Sequence, residues 1–184
     1  ISMVELEEVD TIDKLKEVNQ SNGLWISPSK TVINTDPMVY TLDNYINDKD
    51  CEHFIYISRD KIKESLVSGD KEGYVSKGRT GYNCWIPHDY DETTLRIGKQ
   101  ISDLVGIPLE NAEAFQVIHY GAEQEYKQHY DGWLFDGGEK SRRNMKYGGQ
   151  RMITALAYLN TVSKGGGTRF TKLNKESTAE KGKL

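Results

Sequence analysis

Cysteine is scarce: Cys51 and Cys84 are the only two in 184 residues. Two are too few for a disulfide scaffold, so a reducing, cytoplasmic setting is the expectation. Long apolar runs are missing as well. None approaches the roughly 20 residues of a membrane-spanning helix, and no membrane partner is expected. Neither sign of charge dominates, with 24 basic against 28 acidic residues and a formal net charge of −4. No overall field therefore points to nucleic acid. The first ten residues, ISMVELEEVD, are acidic and lack the basic-then-apolar order of a secretory signal. There is no internal repeat and no low-complexity segment.

What is present suits one domain with a short extension. Val4, Leu6, Val9, Ile12, Leu15 and Val18 recur mostly at threes and predict an amphipathic helix, closed by the Asn19–Gly23 stop signal. Val39–Leu42 predicts a short strand. Asn47 predicts the cap of a helix that buries Cys51, Phe54 and Ile55. Residues 68–82, rich in Gly, Ser and Lys, read as loop. Leu95, Ile101, Leu104 and Val105 mark a further helix, ended by Gly106 and Pro108. Ala114–Tyr120 carries β-branched and aromatic residues in partial alternation and predicts a strand. Residues 132–150, with five glycines and the basic run Arg142–Lys146, read as a long solvated loop. Met152–Leu159 is mostly apolar and predicts a strand buried on both faces. Helices come first and strands later, which points to an α+β fold with helices packed on a β-sandwich or jelly roll. His53 and His88 are expected in solvent, and His119 on the strand face opposite Tyr120.

The chemistry centres on His129-Tyr130-Asp131. Residues two apart on an extended segment point to one side, so an imidazole and a carboxylate there can share one metal ion. Two histidines and a carboxylate on one face of iron(II) leave positions open for cosubstrate and oxygen. The triplet alone is more often a surface histidine beside a surface aspartate.

Its surroundings change that balance. QVIHYGAEQEYKQHYD (116–131), GGQRMITALAYLN (148–160) and GGGTRF (165–170) come in that order. IPLENAEAF (107–115) and YTLDNYINDKDCEHF (40–54) precede them. Together these blocks closely resemble the catalytic core of prolyl 4-hydroxylases. The resemblance covers roughly residues 37–184, while residues 1–36 form an N-terminal helical extension and linker that matches nothing. It implies a double-stranded β-helix, a distorted jelly roll, carrying N-terminal helices. It also implies an iron(II)- and 2-oxoglutarate-dependent dioxygenase that uses O2, is supported by ascorbate, and hydroxylates C4 of proline in a peptide or protein. By position, His129 and Asp131 would be iron ligands, and Tyr120 and Thr168 would hold the far carboxylate of 2-oxoglutarate. Arg79, Glu113, Tyr126 and Arg151 would contact the substrate. Plainer roles stay open: a half-buried strand aromatic for Tyr120, a turn residue for Thr168, a structural salt bridge for Arg151. The same chemistry on another amino-acid or peptide substrate, or an inactive peptide-binding module, are the rival functions. No histidine comes after His129. The family's second iron histidine and its basic partner for 2-oxoglutarate are thus expected beyond Leu184, in a catalytic domain read as C-terminally incomplete.

Overall fold

The computed structural model describes residues 28–64, 67–68, 73–74, 78, 80–133, 137–146 and 149–184. The helix expected over 4–18, and Arg79, lie outside the described residues. The rest is a mixture of helices and small antiparallel sheets. Strands β1 (Ser29–Thr35) and β2 (Met38–Asp43) form a hairpin. Helix α1 (Asp48–Ser58) comes next, then β3 (Lys63–Glu64) and a two-rung hairpin of β4 (Val67–Ser68) and β5 (Gly73–Tyr74). After these come β6 (Tyr82–Ile86), α2 (Glu92–Val105) and β7 (Phe115–His119). Helix α3 (Glu139–Met145) and the hairpin of β8 (Thr168–Phe170) and β9 (Lys175–Ser177) complete the order.

The three-stranded sheet β3-β6-β7 organises the core. Its register sets Cys84 opposite Val117 and Ile86 opposite Phe115. Side chains alternate across a strand, so these four share one face. That face meets Cys51, Phe54 and Ile57 of α1 and Ile97 of α2, with Leu42, Tyr45 and Ile46 filling in from the end of β2. The opposite face carries Asn83, Trp85, Gln116 and Ile118, and Trp85 is half exposed. One side of the sheet is therefore sealed by helices, while on the other Trp85 and Ile118 are exposed among the described residues.

Local signals place the helices. The Asn47 side chain accepts the Asp50 amide at 2.8 Å, the cap its position predicts. Ile55 lies outside the buried stripe, contrary to expectation; Ile57 and Ser58 take that place. At about 100° per residue, Ile55 sits a full step round the helix from Phe54 and falls at the margin of the stripe. Helix α2 begins with a reciprocal capping box. Asp91 accepts the Thr94 amide at 2.9 Å, and the Thr94 hydroxyl accepts the Asp91 amide at 3.0 Å. It ends on Gly106 at φ +67°, the left-handed conformation glycine adopts freely.

Two histidines depart from their expected solvation. His53 Nε2 stands 2.7 Å from Asp91, and the His88 ring meets Phe115 edge-on at 4.9 Å between centroids. Burial alone would raise the Asp91 carboxyl, but the Thr94 amide and then His53 outweigh it and hold it below its ordinary value. A carboxyl lowered by folding stabilises the native state above the unfolded carboxylate range and loses that contribution as pH falls through its lowered value. Asp91→Ala should cost about 1 kcal/mol, the worth of an N-cap. The loss should shrink on acidification, measured as urea midpoints of parent and variant at neutral and low pH. An equal loss at both would separate Asp91's cap from its charge.

The second half differs most from expectation. Met152–Leu159 joins no sheet among the described residues, and Met152, Ile153 and Leu156 are exposed rather than buried on both faces. A strand exists only through its partners, and in this run Tyr158 pairs its backbone with Gly182 and Lys183 rather than with a neighbouring strand. Residues 132–150 are not all loop, since α3 forms after Gly138. Arg142, Arg143 and Lys146 are exposed there, as a solvated run should be. The chain's last residues tie the halves together. Leu184 exchanges both backbone hydrogen bonds with Leu42 of β2, while Gly182 and Lys183 bond Tyr158 on the other side.

Candidate active site

The site is built on the segment that leaves β7. A tight turn at Gly121–Gln124, with Gln124 Oε1 accepting the Gly121 amide at 2.7 Å, redirects the chain. The next segment then pairs with Gly78 and Thr80: Thr80 donates its amide to Glu125 O at 3.0 Å, and Lys127 its amide to Gly78 O at 2.8 Å. This pairing fixes the direction of the segment that carries Tyr126, His129 and Asp131.

His129 and Asp131 point the same way, as their spacing requires. Nε2 lies 3.1 Å from Oδ1. Tyr130, between them, projects outward and is 68% exposed, in contact with the Lys172 ammonium. The other imidazole nitrogen, Nδ1, is 2.7 Å from Lys127 O. A carbonyl only accepts, so Nδ1 carries the proton. Nε2 then turns a lone pair toward a carboxylate oxygen, an arrangement that needs a second proton or a cation between them. Such orientation of a histidine by a carbonyl behind it is what ligating imidazoles show. The Tyr126 ring stacks on His129 at 3.6 Å and 18°.

A second segment grips the first from the side. Arg151 forms a two-pronged ion pair with Glu113, the Nη2–Oε2 arm at 2.6 Å. Hydrogen bonds to that carboxylate raise the guanidinium above its ordinary value. Arg151 Nη1 also reaches Asp131 O at 3.3 Å, and its guanidinium lies 4.0 Å over the Trp133 ring. Gln150 binds both backbone groups of Trp133, at 2.6 and 2.7 Å, as a neighbouring strand would. Thr154 Oγ1 donates to Asp131 Oδ2 at 2.6 Å.

Thus His129, Asp131, Tyr126, Arg151 and Glu113 come together, with Arg151 ion-paired to Glu113. Tyr120 lies at the end of β7, 40% exposed, with its ring across Gly81. Thr168 opens β8, where its hydroxyl accepts from Tyr158 at 2.8 Å. Sequence reasoning misses Trp133, Gln150 and Thr154. Thr154 carries one signal, a lone hydroxyl in an otherwise apolar run up to Tyr158. Among the described residues no three His, Cys, Asp or Glu side chains cluster as a metal site, and His129 and Asp131 stand as a pair. No helix of the described residues is long and apolar enough to cross a membrane. Cys51 and Cys84 are buried free thiols, and burial pushes Cys51 up to about 11.

No protein-family model matches the chain. Individual proteins do. It is 37% identical over 141 residues to prolyl 4-hydroxylase 5 of Arabidopsis thaliana, covering 76% of this chain and 46% of that protein. Probable prolyl 4-hydroxylase 10 of the same plant is 31% identical over 162 residues, or 87% of this chain and 53% of the relative. Prolyl 4-hydroxylase 2 is 31% identical over 148 residues, 79% and 48% respectively. The chain spans about half the length of the curated relatives it matches.

Proposed function

Because the chain belongs to the prolyl 4-hydroxylase family, we propose that residues 37–184 form part of the catalytic domain of an iron(II)- and 2-oxoglutarate-dependent dioxygenase that hydroxylates peptidyl proline at C4. The observation that carries this is the convergence of His129 Nε2 and Asp131 Oδ1, with Lys127 O and Thr154 holding each ligand from behind. The one-sided helix cover of β3-β6-β7 supports reading this sheet as one wall of a double-stranded β-helix, with α1 and α2 as its outer cover.

Iron(II) held by His129 and Asp131 would supply the oxidation, in which O2 and 2-oxoglutarate give succinate, carbon dioxide and a hydroxyl on proline C4, while ascorbate keeps the metal reduced. The chain's own residues do the positioning. Lys127 O holds the imidazole in the tautomer that presents Nε2. Tyr120 and Thr168 each offer a hydroxyl to the far carboxylate of 2-oxoglutarate, and Tyr158, by bonding Thr168 Oγ1, fixes the direction of the second. Tyr126, stacked beside the metal pair, offers an apolar ring on which the proline ring can lie. Arg151 and Glu113 meet the peptide as a pre-paired unit, and Arg79 is assigned to the same role from its place in KGRTGYN.

The full-length protein, given iron(II), ascorbate, 2-oxoglutarate and a proline-rich peptide, should form succinate and hydroxyproline in equal amounts. Succinate with an unchanged peptide would transfer the chemistry to another substrate, and no succinate at all would leave a binding module. Tyr120→Phe should raise the Michaelis constant for 2-oxoglutarate about tenfold, since a hydrogen bond to a charged group contributes about 1.5–3 kcal/mol. An unchanged constant would make Tyr120 a packing residue.

A further inference from the structure

The carboxylate of Asp131 is 46% exposed and lies on a segment outside any sheet. Rotation about its Cβ–Cγ bond is soft, so nothing intrinsic decides the plane in which the carboxylate faces His129. Thr154 does decide it. Its hydroxyl holds Oδ2 at 2.6 Å, which leaves Oδ1 beside Nε2. Thr154 is itself held in place. Four residues earlier, Gln150 clamps both backbone groups of Trp133, and Arg151 spans from the Trp133 ring to Asp131 O. The segment 150–154 thus embraces 131–133 through side chains, without the help of a ladder.

We propose that Thr154 is a positioning residue for the metal-binding carboxylate, holding one oxygen of Asp131 so that the plane of the carboxylate is fixed and its other oxygen is left to the metal. This rests on the reading of His129 and Asp131 as ligands. A hydrogen bond to a ligating carboxylate typically accounts for about 10–100-fold in metal affinity. Thr154 also offers a clean comparison. Valine keeps its shape and removes the hydroxyl, and serine keeps the hydroxyl and removes the methyl.

The test is manganese(II) affinity of the full-length protein, read by electron paramagnetic resonance without turnover, because manganese suits the same oxygen and imidazole donors. Thr154→Val should weaken manganese binding about tenfold or more, and Thr154→Ser should stay within about twofold of the parent. Parent-like affinity in Thr154→Val overturns the proposal, and so does a Thr154→Ser as weak as Thr154→Val. Should Thr154→Val fail to fold, judged by circular dichroism, Thr154→Ala is read against Thr154→Ser with the same two outcomes. Asp131→Ala distinguishes the ligand reading from the positioning role. If it leaves manganese affinity unchanged, the ligand reading falls and takes this proposal with it. If it abolishes binding while Thr154→Val does not weaken it, only the role of Thr154 falls.

Discussion

His129→Ala in the full-length protein should reduce hydroxylation to the level of a blank without iron, while its melting temperature stays that of the parent. The two halves of this expectation have different sources. The imidazole is one-third exposed, and its ring stacks on Tyr126. Removing it therefore opens no core cavity. Chemically nothing replaces it, because the donor beside Asp131 Oδ1 is Nε2 and among the described residues no third His, Cys, Asp or Glu joins the pair. On the proposed ligand assignment, losing one of so small a set removes both affinity and the geometry on which cosubstrate placement depends. His119→Ala is the control, an exposed strand histidine ten residues earlier that serves no ligand role here. Turnover in His129→Ala comparable to His119→Ala would remove the metal assignment. A collapse of melting temperature in His129→Ala would mean that the stack on Tyr126 is structural.

Local chemistry makes much of this readable from residues alone. Asn47 and Gly106 announce helix ends because a cap bond closes within a few residues. Phe115–His119 declares itself through β-branched and aromatic residues. The His129–Asp131 pairing arises from strand geometry at a separation of two. Readings fail where the deciding partner is distant in sequence. His53 meets Asp91 across 38 residues, and Arg151 meets Glu113 across the same span. No periodicity encodes such meetings. Met152–Leu159 is the instructive error. Its apolar composition describes what the run can bury, whereas exposure depends on what lies beside it. Trp133 and Gln150 are invisible for another reason: a side-chain amide acting as a strand leaves no pattern in the sequence.

Gly182→Ala should destabilise the protein by about 3 kcal/mol, combining the left-handed penalty of about 1–2 kcal/mol with a backbone collision. Gly182 has φ +81°, and a Cβ there would stand 2.4 Å from Ile46 O. That oxygen belongs to the backbone and has no rotamer by which to escape. Nor can the glycine move. It donates its amide to Tyr158 O at 2.8 Å and accepts the Ile46 amide at 3.0 Å, so relief of the clash breaks a bond on one side or the other. Lys183 and Leu184 continue the bridge to Tyr158 and Leu42, and the damage spreads to both. At about 2–4 °C per kcal/mol for a domain of this size, the melting temperature should drop by roughly 6–12 °C. Gly137→Ala isolates the strain from the collision, since Gly137 has φ +73° but nothing within 4 Å of its added Cβ. It should lose only the conformational part, about 1 kcal/mol. Equal melting temperatures for the two variants would show that Gly182 is retained for its torsion alone and that the bridge from Leu42 to Tyr158 yields without cost. The unequal result carries a consequence for the site. Tyr158 holds Thr168 by its hydroxyl, so a displaced Gly182 should also raise the 2-oxoglutarate requirement of whatever Gly182→Ala protein remains folded.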